Sequence, residues 1–316
     1  MSPKQVLVVG AGAIGAFFAA RLASVPGIKV STLCRSNFSA IKSGGIKVTS
    51  PLFGETTFQP RFVFASPEEA RKVMKEQSLS WQYLLVATKV LPELGDASAL
   101  LEGLVDRTTS IVVMQNGLAI EEPYWKRFPR NPIISAVTSE DPGMIVPTTR
   151  STALFADMLQ AAGFPDIDLL DHVSMQFARW HKTAINAAMN PTAVLSGGAS
   201  SQAMALDREL YTHMLAVMKE IIDAACQILG RPLPESLPKS VDILDGVKED
   251  VSGSRPSMWL DWEAGRRVEL EAILGNPLRQ ARAVGMELPR TQCMYSLLKR
   301  AQEERIQRAQ EDRTQR

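Results

Sequence analysis

The sequence has little with which to build a disulfide framework or a metal site. It contains three cysteines and three histidines in 316 residues. Cys34, Cys226 and Cys293 are far apart and odd in number, which favours free thiols in a reducing compartment. No histidine stands at metal-ligand spacing from a cysteine, so we expect no zinc or other metal site.

An excess of charge of either sign is also missing. Lys and Arg number 35 against 34 Asp and Glu, which leaves a formal net charge of +1. Such a balance provides no global field to hold nucleic acid or an anionic membrane. No apolar run approaches the roughly 20 residues that cross a bilayer, and MSPK leads directly into a strand-like run without a targeting peptide. We therefore expect a cytoplasmic protein that binds neither nucleic acid nor membranes.

The chain does have enough apolar material, 45%, for a sizeable core, and its length suggests two domains. Short apolar runs alternate with helical spacing in the first half. These runs, 5–9, 29–34, 83–87, 110–114 and 133–137, are typical of strands in a parallel sheet covered on both faces. We predict an α/β domain over residues 1–168.

Long helical patterns dominate the second half. They cover 173–189, 201–229 and 258–284, with breaks at 230–238 and 285–289. We predict an all-α domain over residues 169–316. Its tail from Lys299 mixes acids with bases and is interpreted as a solvated helix end or a frayed end rather than a nucleic-acid arm.

A glycine-rich motif follows the first predicted strand and opens the first predicted helix. It reads Gly10-Ala11-Gly12-Ala13-Ile14-Gly15. Gly10 permits a tight turn, Gly12 lets backbone amides approach a pyrophosphate, and Gly15 lets helix and strand pack closely. Three glycines in a turn also occur by chance, but the flanking strand and helix favour a dinucleotide site in a Rossmann-type domain.

The end of the second predicted strand bears on which dinucleotide binds. An NAD site usually has an Asp or Glu there for the ribose 2′-hydroxyl. This strand ends Leu33-Cys34-Arg35-Ser36-Asn37, without a carboxylate. Arg35 offers a guanidinium suited to a 2′-phosphate. It is otherwise an ordinary surface arginine, and on balance we expect NADPH.

Two polar residues follow later strands of the predicted sheet. Lys89 comes after the run 83–87, and Asn116 comes after 110–114. Ligands of open α/β sheets gather at the carboxyl ends of the strands. By pattern alone, however, Lys89 is a solvated lysine and Asn116-Gly117 a turn signal.

One helix of the second half carries a polar stripe. Lys182, Asn186 and Asn190 are spaced i, i+4, i+8 among apolar neighbours and therefore share one side of the helix. Burying them costs several kcal/mol unless partners are supplied, and a polar substrate in a cleft between the domains would supply them. The alternative is a stripe that simply faces water.

A second group of residues begins with Pro256 and Ser257, which look like a helix start. Apolar spacing places Glu269, twelve residues after the serine, in the same helix. Alone, Glu269 would pair with a neighbouring arginine at the surface; near Lys182 it becomes a partner that tunes the lysine's pKa. A straight helix would hold Ser257 and Glu269 about 18 Å apart, so contact of both with one small substrate requires a loop or a bend.

These residues together resemble the ketopantoate reductase (2-dehydropantoate 2-reductase) family over roughly residues 4–300. The resemblance rests on the glycine motif, Ala87-Thr88-Lys89, Gln115-Asn116-Gly117-Leu118, Trp180-x-Lys182-x3-Asn186-x3-Asn190-Pro191, Ser257-Met258-x2-Asp261 with Glu269, and Gly285-x3-Pro289. It implies NADPH-dependent reduction of a 2-oxo acid or related ketone, with ketopantoate and pantothenate biosynthesis as the leading assignment.

The same resemblance implies roles for individual residues. Lys182 would be the general acid, and Glu269 would help to hold substrate and cofactor. Asn186, Asn190 and Ser257 would contact the substrate, a small keto compound. Arg35, Lys89, Asn116 and the glycine motif would serve the cofactor, and the helical domain is the candidate surface for a homodimer.

The sequence departs from the family pattern in three places. The stretch 137–154 is shorter than usual, Leu274-Gly275-Asn276 replaces an Asn-Gly pair, and Ser200 stands where a substrate-side Asn is expected. These departures keep a second hypothesis open. In that hypothesis the chain is a non-catalytic NADP(H)-binding protein, or a family member redeployed in a specialised biosynthetic pathway.

Overall fold

The computed structural model describes residues 3–137, 144–145, 150–165 and 167–314. The chain divides into two compact units. The first comprises residues up to Lys89, 94–115 and 120–175, and the second comprises 90–93, 116–119 and 176 onwards. The predicted domains, 1–168 and 169–316, meet at a single boundary, whereas the second unit also contains two short loops from the first half of the chain.

The first unit is built around a large sheet. Its strands and a separate hairpin are, in chain order, β1 (Lys4–Val9), β2 (Ile28–Leu33), β3 (Ile46–Ser50), β4 (Gly54–Phe58), β5 (Val63–Phe64), β6 (Tyr83–Val86), β7 (Ser110–Val113), β8 (Ile133–Val137), β9 (Met144–Ile145) and β10 (Asp168–Leu169). The sheet order is β5-β2-β1-β6-β7-β8-β9-β10, and the pairs from β5 to β8 are all parallel. β9 pairs antiparallel with β8, and β3 and β4 form the hairpin.

Burial explains why the central strands are so apolar. β6 and β7 are buried along their whole length, and β1 is buried after its first residue. This pattern is typical of parallel strands covered on both faces. The helices of this unit are α1 (Ala13–Ala23), α2 (Phe38–Gly44), α3 (Pro67–Glu76), α4 (Glu122–Arg127) and α5 (Arg150–Ala161), with a 3₁₀ turn at Ala97–Leu101. Another 3₁₀ turn, Pro92–Leu94, begins in the loop 90–93 of the second unit. The predicted α/β class with a parallel sheet is confirmed.

The second unit is helical in its described residues. Its helices are α6 (His172–Leu195), α7 (Ser201–Leu206), α8 (Arg208–Leu229), α9 (Ser240–Lys248), α10 (Ser257–Glu263), α11 (Asn276–Ala283) and α12 (Pro289–Thr314), and a π-helical turn covers Glu271–Gly275. The charged tail from Lys299 belongs to α12. The first residues of α6 count with the first unit. No helix in the described part of the chain is long and apolar enough to span a membrane.

One predicted helix, 258–284, is wrong as a continuous element. α10 ends at Glu263, residues 266–269 are not helical, and helical structure resumes at Leu270. Gly265 lies at φ +70°, a left-handed conformation that ends helices, and the Arg266 guanidinium pairs with Asp261 at 2.9 Å across the break. The apolar spacing continued through the break, so the pattern gave no sign of it.

The predicted helix 201–229 is likewise two helices. Asp207 ends α7 and caps α8, because its carboxylate accepts hydrogen bonds from the N–H groups of Glu209 and Leu210, each at 2.9 Å. An aspartate is one of the best residues for this capping position. The break leaves the predicted helical class unchanged.

Candidate functional site

The glycine turn after β1 has the tight geometry that the motif predicts. Gly10 adopts φ +96°, and a Cβ at this position would lie 2.8 Å from the backbone nitrogen of Thr88. A Cβ on Gly15 would lie 1.8 Å from the carbonyl oxygen of Gly10. A side chain at Gly10 would collide with the backbone that follows β6, and one at Gly15 would push α1 away from the glycine turn. Gly10 and Gly15 are therefore required by packing.

Gly12 is different, because a Cβ there would have no neighbour within 4 Å. Gly12 is the N-cap of α1, and as a glycine it has no side chain with which to cap this helix end. Gly12, Ala13 and Ile14 are exposed, whereas Ala11 is buried. The first-turn amides lack intrahelical acceptors, and they carry the positive end of the helix dipole. This open, uncapped helix start fits a pyrophosphate.

The chain after β2 continues the same site. Arg35 is exposed, and its guanidinium makes no hydrogen bond or ion pair with any described residue. Asn37, which sequence reasoning did not single out, donates from Nδ2 to the carbonyl oxygen of Ala11 at 2.8 Å. This bond ties the segment carrying Arg35 to the glycine turn. Burial raises the pKa of the neighbouring Cys34 thiol, which stays protonated at neutral pH.

Gln115 joins the ends of β6 and β7. Its Nε2 donates to the backbone oxygen of Thr88 at 2.9 Å and to the Thr88 hydroxyl at 3.0 Å, and its Oε1 accepts from the Tyr124 hydroxyl at 3.1 Å. Gln115 is buried, so these bonds are shielded from water. Lys89 is exposed and Asn116 half-buried. From the sequence, Gln115 is only one residue of the motif Gln115-Asn116-Gly117-Leu118. Its bonds to Thr88 could not be inferred, because the two residues lie 27 positions apart.

The short loops after these two strands belong to the second unit. The Val90 N–H, directly after Lys89, donates to Glu269 Oε1 at 2.8 Å. The Leu118 N–H donates to the Ala272 oxygen at 3.1 Å. Glu269 lies in the segment between α10 and the π-helical turn rather than three turns along a helix, which corrects the prediction. Its pairing with Lys182 stays a prediction.

Helix α6 carries the predicted polar stripe. Trp180, Ala184, Ala187 and Ala188 are buried on its packed side. Lys182 and Asn186 are half-buried, and Asn190 is 4% exposed. Neither of the two simple expectations, a fully buried stripe or one that faces water, describes this helix. The stripe passes from partly accessible at Lys182 to enclosed at Asn190.

The structure brings Asn190 and Ser257 together. Asn190 Oδ1 accepts from the Met258 N–H at 3.1 Å and from the Ser257 hydroxyl at 3.5 Å. Ser257 is the exposed first residue of α10, as Pro256 and Ser257 predicted. Because α10 stops at Glu263, the 18 Å separation expected for a straight helix does not apply to Ser257 and Glu269. Asn190 therefore also holds the start of α10 in place.

Two of the departures from the family pattern have structural roles. The Ser200 hydroxyl caps α7 by accepting from the Ala203 N–H at 3.2 Å. Asn276 Nδ2 donates to the Leu118 oxygen at 2.6 Å. The third departure, the shortened stretch 137–154, falls largely outside the described residues. Among the residues that the structure describes, no group of three or more His, Cys, Asp or Glu is arranged to hold a metal ion.

The sheet order and the uncapped glycine turn define a dinucleotide-binding class of α/β domain. Family models described as "Ketopantoate reductase PanE/ApbA" and "Ketopantoate reductase PanE/ApbA C terminal" match residues 6–146 and 174–302. A 2-dehydropantoate 2-reductase of Nostoc sp. is 27% identical over 95% of each chain. An uncharacterized protein of Saccharomyces cerevisiae is 25% identical over 93% of this chain and 92% of the relative.

Solved structures agree with these matches. The crystal structure of 2-dehydropantoate 2-reductase from Methylococcus capsulatus is 30% identical, with a TM-score of 0.78, over 95% of this chain and 97% of that one. The protein belongs to the ketopantoate reductase family.

Proposed function

We propose that this protein reduces a 2-oxo acid or related ketone to the hydroxy compound with NADPH. Ketopantoate, the precursor of pantoate in pantothenate biosynthesis, is the leading substrate. The observation that carries the proposal is the stripe on α6. There, a half-buried lysine and two carboxamides lie on one helix side, and Asn190 contacts Ser257 at the start of α10. Membership of the ketopantoate reductase family supports it.

When bound, NADPH supplies the hydride that reduces the ketone carbon. The carbonyl π electrons then move to oxygen, and Lys182 Nζ gives that oxygen a proton, so the products are the hydroxy acid, NADP⁺ and a neutral lysine that water reprotonates. A lysine serves as a general acid when its pKa lies near the working pH, and partial burial lowers a lysine pKa in that direction. Glu269 would limit the lowering by stabilising the ammonium form.

The carboxamides and the hydroxyl can orient the substrate without adding charge. Asn186 and Asn190 would bind its hydroxyl and carboxylate oxygens, together with Ser257. In the structure, Asn190 Oδ1 already accepts the Met258 N–H, so the Asn190 Nδ2 donor is the atom we assign to a substrate oxygen. An acceptor on the substrate is therefore required at this position.

The cofactor residues are assigned from the first unit and its loops. The open helix start at Gly12, Ala13 and Ile14 would hold the pyrophosphate, with Gly10, Ala11 and Gly15 shaping the turn. Arg35 would pair with the 2′-phosphate, and Lys89 and Asn116 would also contact the cofactor. We also propose a cytoplasmic location and a homodimer formed through the helical unit.

The test is NADPH oxidation with ketopantoate and a panel of bulkier 2-oxo acids, using wild-type protein and Lys182→Ala. Loss of a general acid lowers kcat by about 100- to 10,000-fold, while NADPH affinity should be unchanged. Lys219→Ala, which removes an exposed lysine of α8 that pairs with Asp223, is the matched control and should retain full activity.

Two results would contradict the proposal. Unchanged activity in Lys182→Ala would make Lys182 a structural lysine. Bound NADPH without turnover of any ketone in the panel would favour the non-catalytic NADP(H)-binding hypothesis.

A further inference from the structure

The helical segment after Glu269 has one backbone acceptor, the Ala272 carbonyl, that its own helix does not supply with a donor. In the π-helical turn Glu271–Gly275, the Asn276 N–H bonds to the Glu271 oxygen, one residue further back than in an α-helix. The next residue, Pro277, has no N–H. The Ala272 carbonyl, which would normally accept from Asn276 or Pro277, therefore has no donor from its own helix.

The loop after β7 supplies that donor. The Leu118 N–H bonds to the Ala272 oxygen at 3.1 Å, and Asn276 Nδ2 bonds back to the Leu118 oxygen at 2.6 Å. The backbone N–H and C=O of Leu118 are thus both bonded to a single helical segment. Gly117, at φ +98°, permits the approach, since a Cβ there would lie 2.4 Å from the Ala272 oxygen.

The orientation of the Asn276 amide is itself fixed. Its Oδ1 accepts from Arg279 at 2.6 Å, and Arg279 also pairs with Glu271 at 2.8 Å. With the oxygen occupied on this side, the NH₂ group is directed to Leu118. At the other end of the segment, Glu269 holds the Val90 N–H.

We propose that Asn276 is a positioning residue for the loop that carries Asn116. The Ala272 carbonyl and the Asn276 amide form a two-point clamp on Leu118, which fixes the backbone of Asn116, two residues before it. This inference rests on the proposed function, because it takes Asn116 as a cofactor contact. It assigns Asn276 no contact with cofactor or substrate.

Asn276→Asp tests the clamp with the same side-chain shape. The variant replaces the donor with a carboxylate oxygen opposite the Leu118 carbonyl but retains an acceptor for Arg279. Hydrogen exchange without cofactor should show the amides of 116–119 exchanging about 3- to 10-fold faster, the range expected for one lost hydrogen bond. Arg282→Gln, on the same helix but bonded to Gln292, is the matched control and should leave exchange there unchanged.

The second measurement separates positioning from general damage. In Asn276→Asp, the KM and Kd for NADPH should rise by about the same 3- to 10-fold factor, whereas the ketone KM should be unchanged. Asn276→Ala serves in place of Asn276→Asp if the latter does not fold, with the same expected results.

Unchanged exchange at 116–119 would overturn the clamp. Faster exchange with unaltered NADPH binding would overturn its link to the cofactor. If wild-type protein binds no NADPH, the proposed function fails instead, and that result is distinguishable because the exchange measurement uses cofactor-free protein.

Discussion

Arg35 lies two residues after β2 and is exposed. Its guanidinium makes no hydrogen bond or ion pair with another described residue. Its segment is tied to the glycine turn through Asn37. A charge-assisted contact of an arginine with a phosphate is worth ~1.5–3 kcal/mol, roughly a 10- to 150-fold change in affinity. Arg35→Ala should therefore weaken NADPH binding by that factor and NADH binding little, because NADH lacks the 2′-phosphate.

Titrating both cofactors against wild type and Arg35→Ala measures this preference. Lys29→Ala, which removes an exposed cation near the opposite end of the same strand, should alter neither affinity. Equal losses for NADPH and NADH in Arg35→Ala would mean that the arginine supports the local structure and does not recognise the phosphate.

At the scale of elements, Gly265 ends α10 and allows Glu269 to lie outside a helix. A Cβ at Gly265 would meet nothing within 4 Å, so a substitution is opposed by backbone conformation alone. The left-handed conformation costs a non-glycine residue about 1–2 kcal/mol. Gly265→Ala should lower the free energy of unfolding by this amount in chemical denaturation.

Gly246 provides the opposite case in α9. It is helical, and a Cβ there also meets nothing within 4 Å. Gly246→Ala should raise the free energy of unfolding by about 0.5–1 kcal/mol, because alanine is the better helix former. Changes of the same sign in both variants would contradict the conformational explanation of the break at Gly265.

Local signals account for what the sequence predicted correctly. The strands, the glycine turn and the start of α10 at Ser257 depend on neighbours along the chain. The break at Gly265 was missed because a helix tolerates a lone glycine, and only φ +70° distinguishes this one. The bonds of Gln115 to Thr88 and of Asn276 to Leu118 span 27 and 158 residues, and no periodicity carries such information.

For the whole molecule, we expect the free energy of unfolding to depend on pH through two histidines, His181 and His213. Burial lowers the pKa of His181, which bonds to the Pro238 oxygen at 2.8 Å, and burial also lowers the pKa of His213. Because the unfolded chain takes up these protons first, their stabilisation is complete above the ordinary pKa of 6.5 and decreases as the pH falls below it.

The free energy of unfolding should therefore decrease between pH 7 and pH 5.5, and His181→Gln should show a shallower dependence over this range. Denaturant titrations at several pH values measure both slopes. Identical slopes for the wild type and His181→Gln would exclude His181 as a source of the effect.

The loops 90–93 and 116–119 lie early in the chain but belong to the second unit. Both loops are translated well before Glu269 and Ala272, the residues to which they bond. A fragment beginning at residue 176 would lack the Leu118 N–H that bonds to the Ala272 carbonyl and the Val90 N–H that bonds to Glu269. Any truncation that removes residues 1–175 therefore removes part of the second unit along with the first.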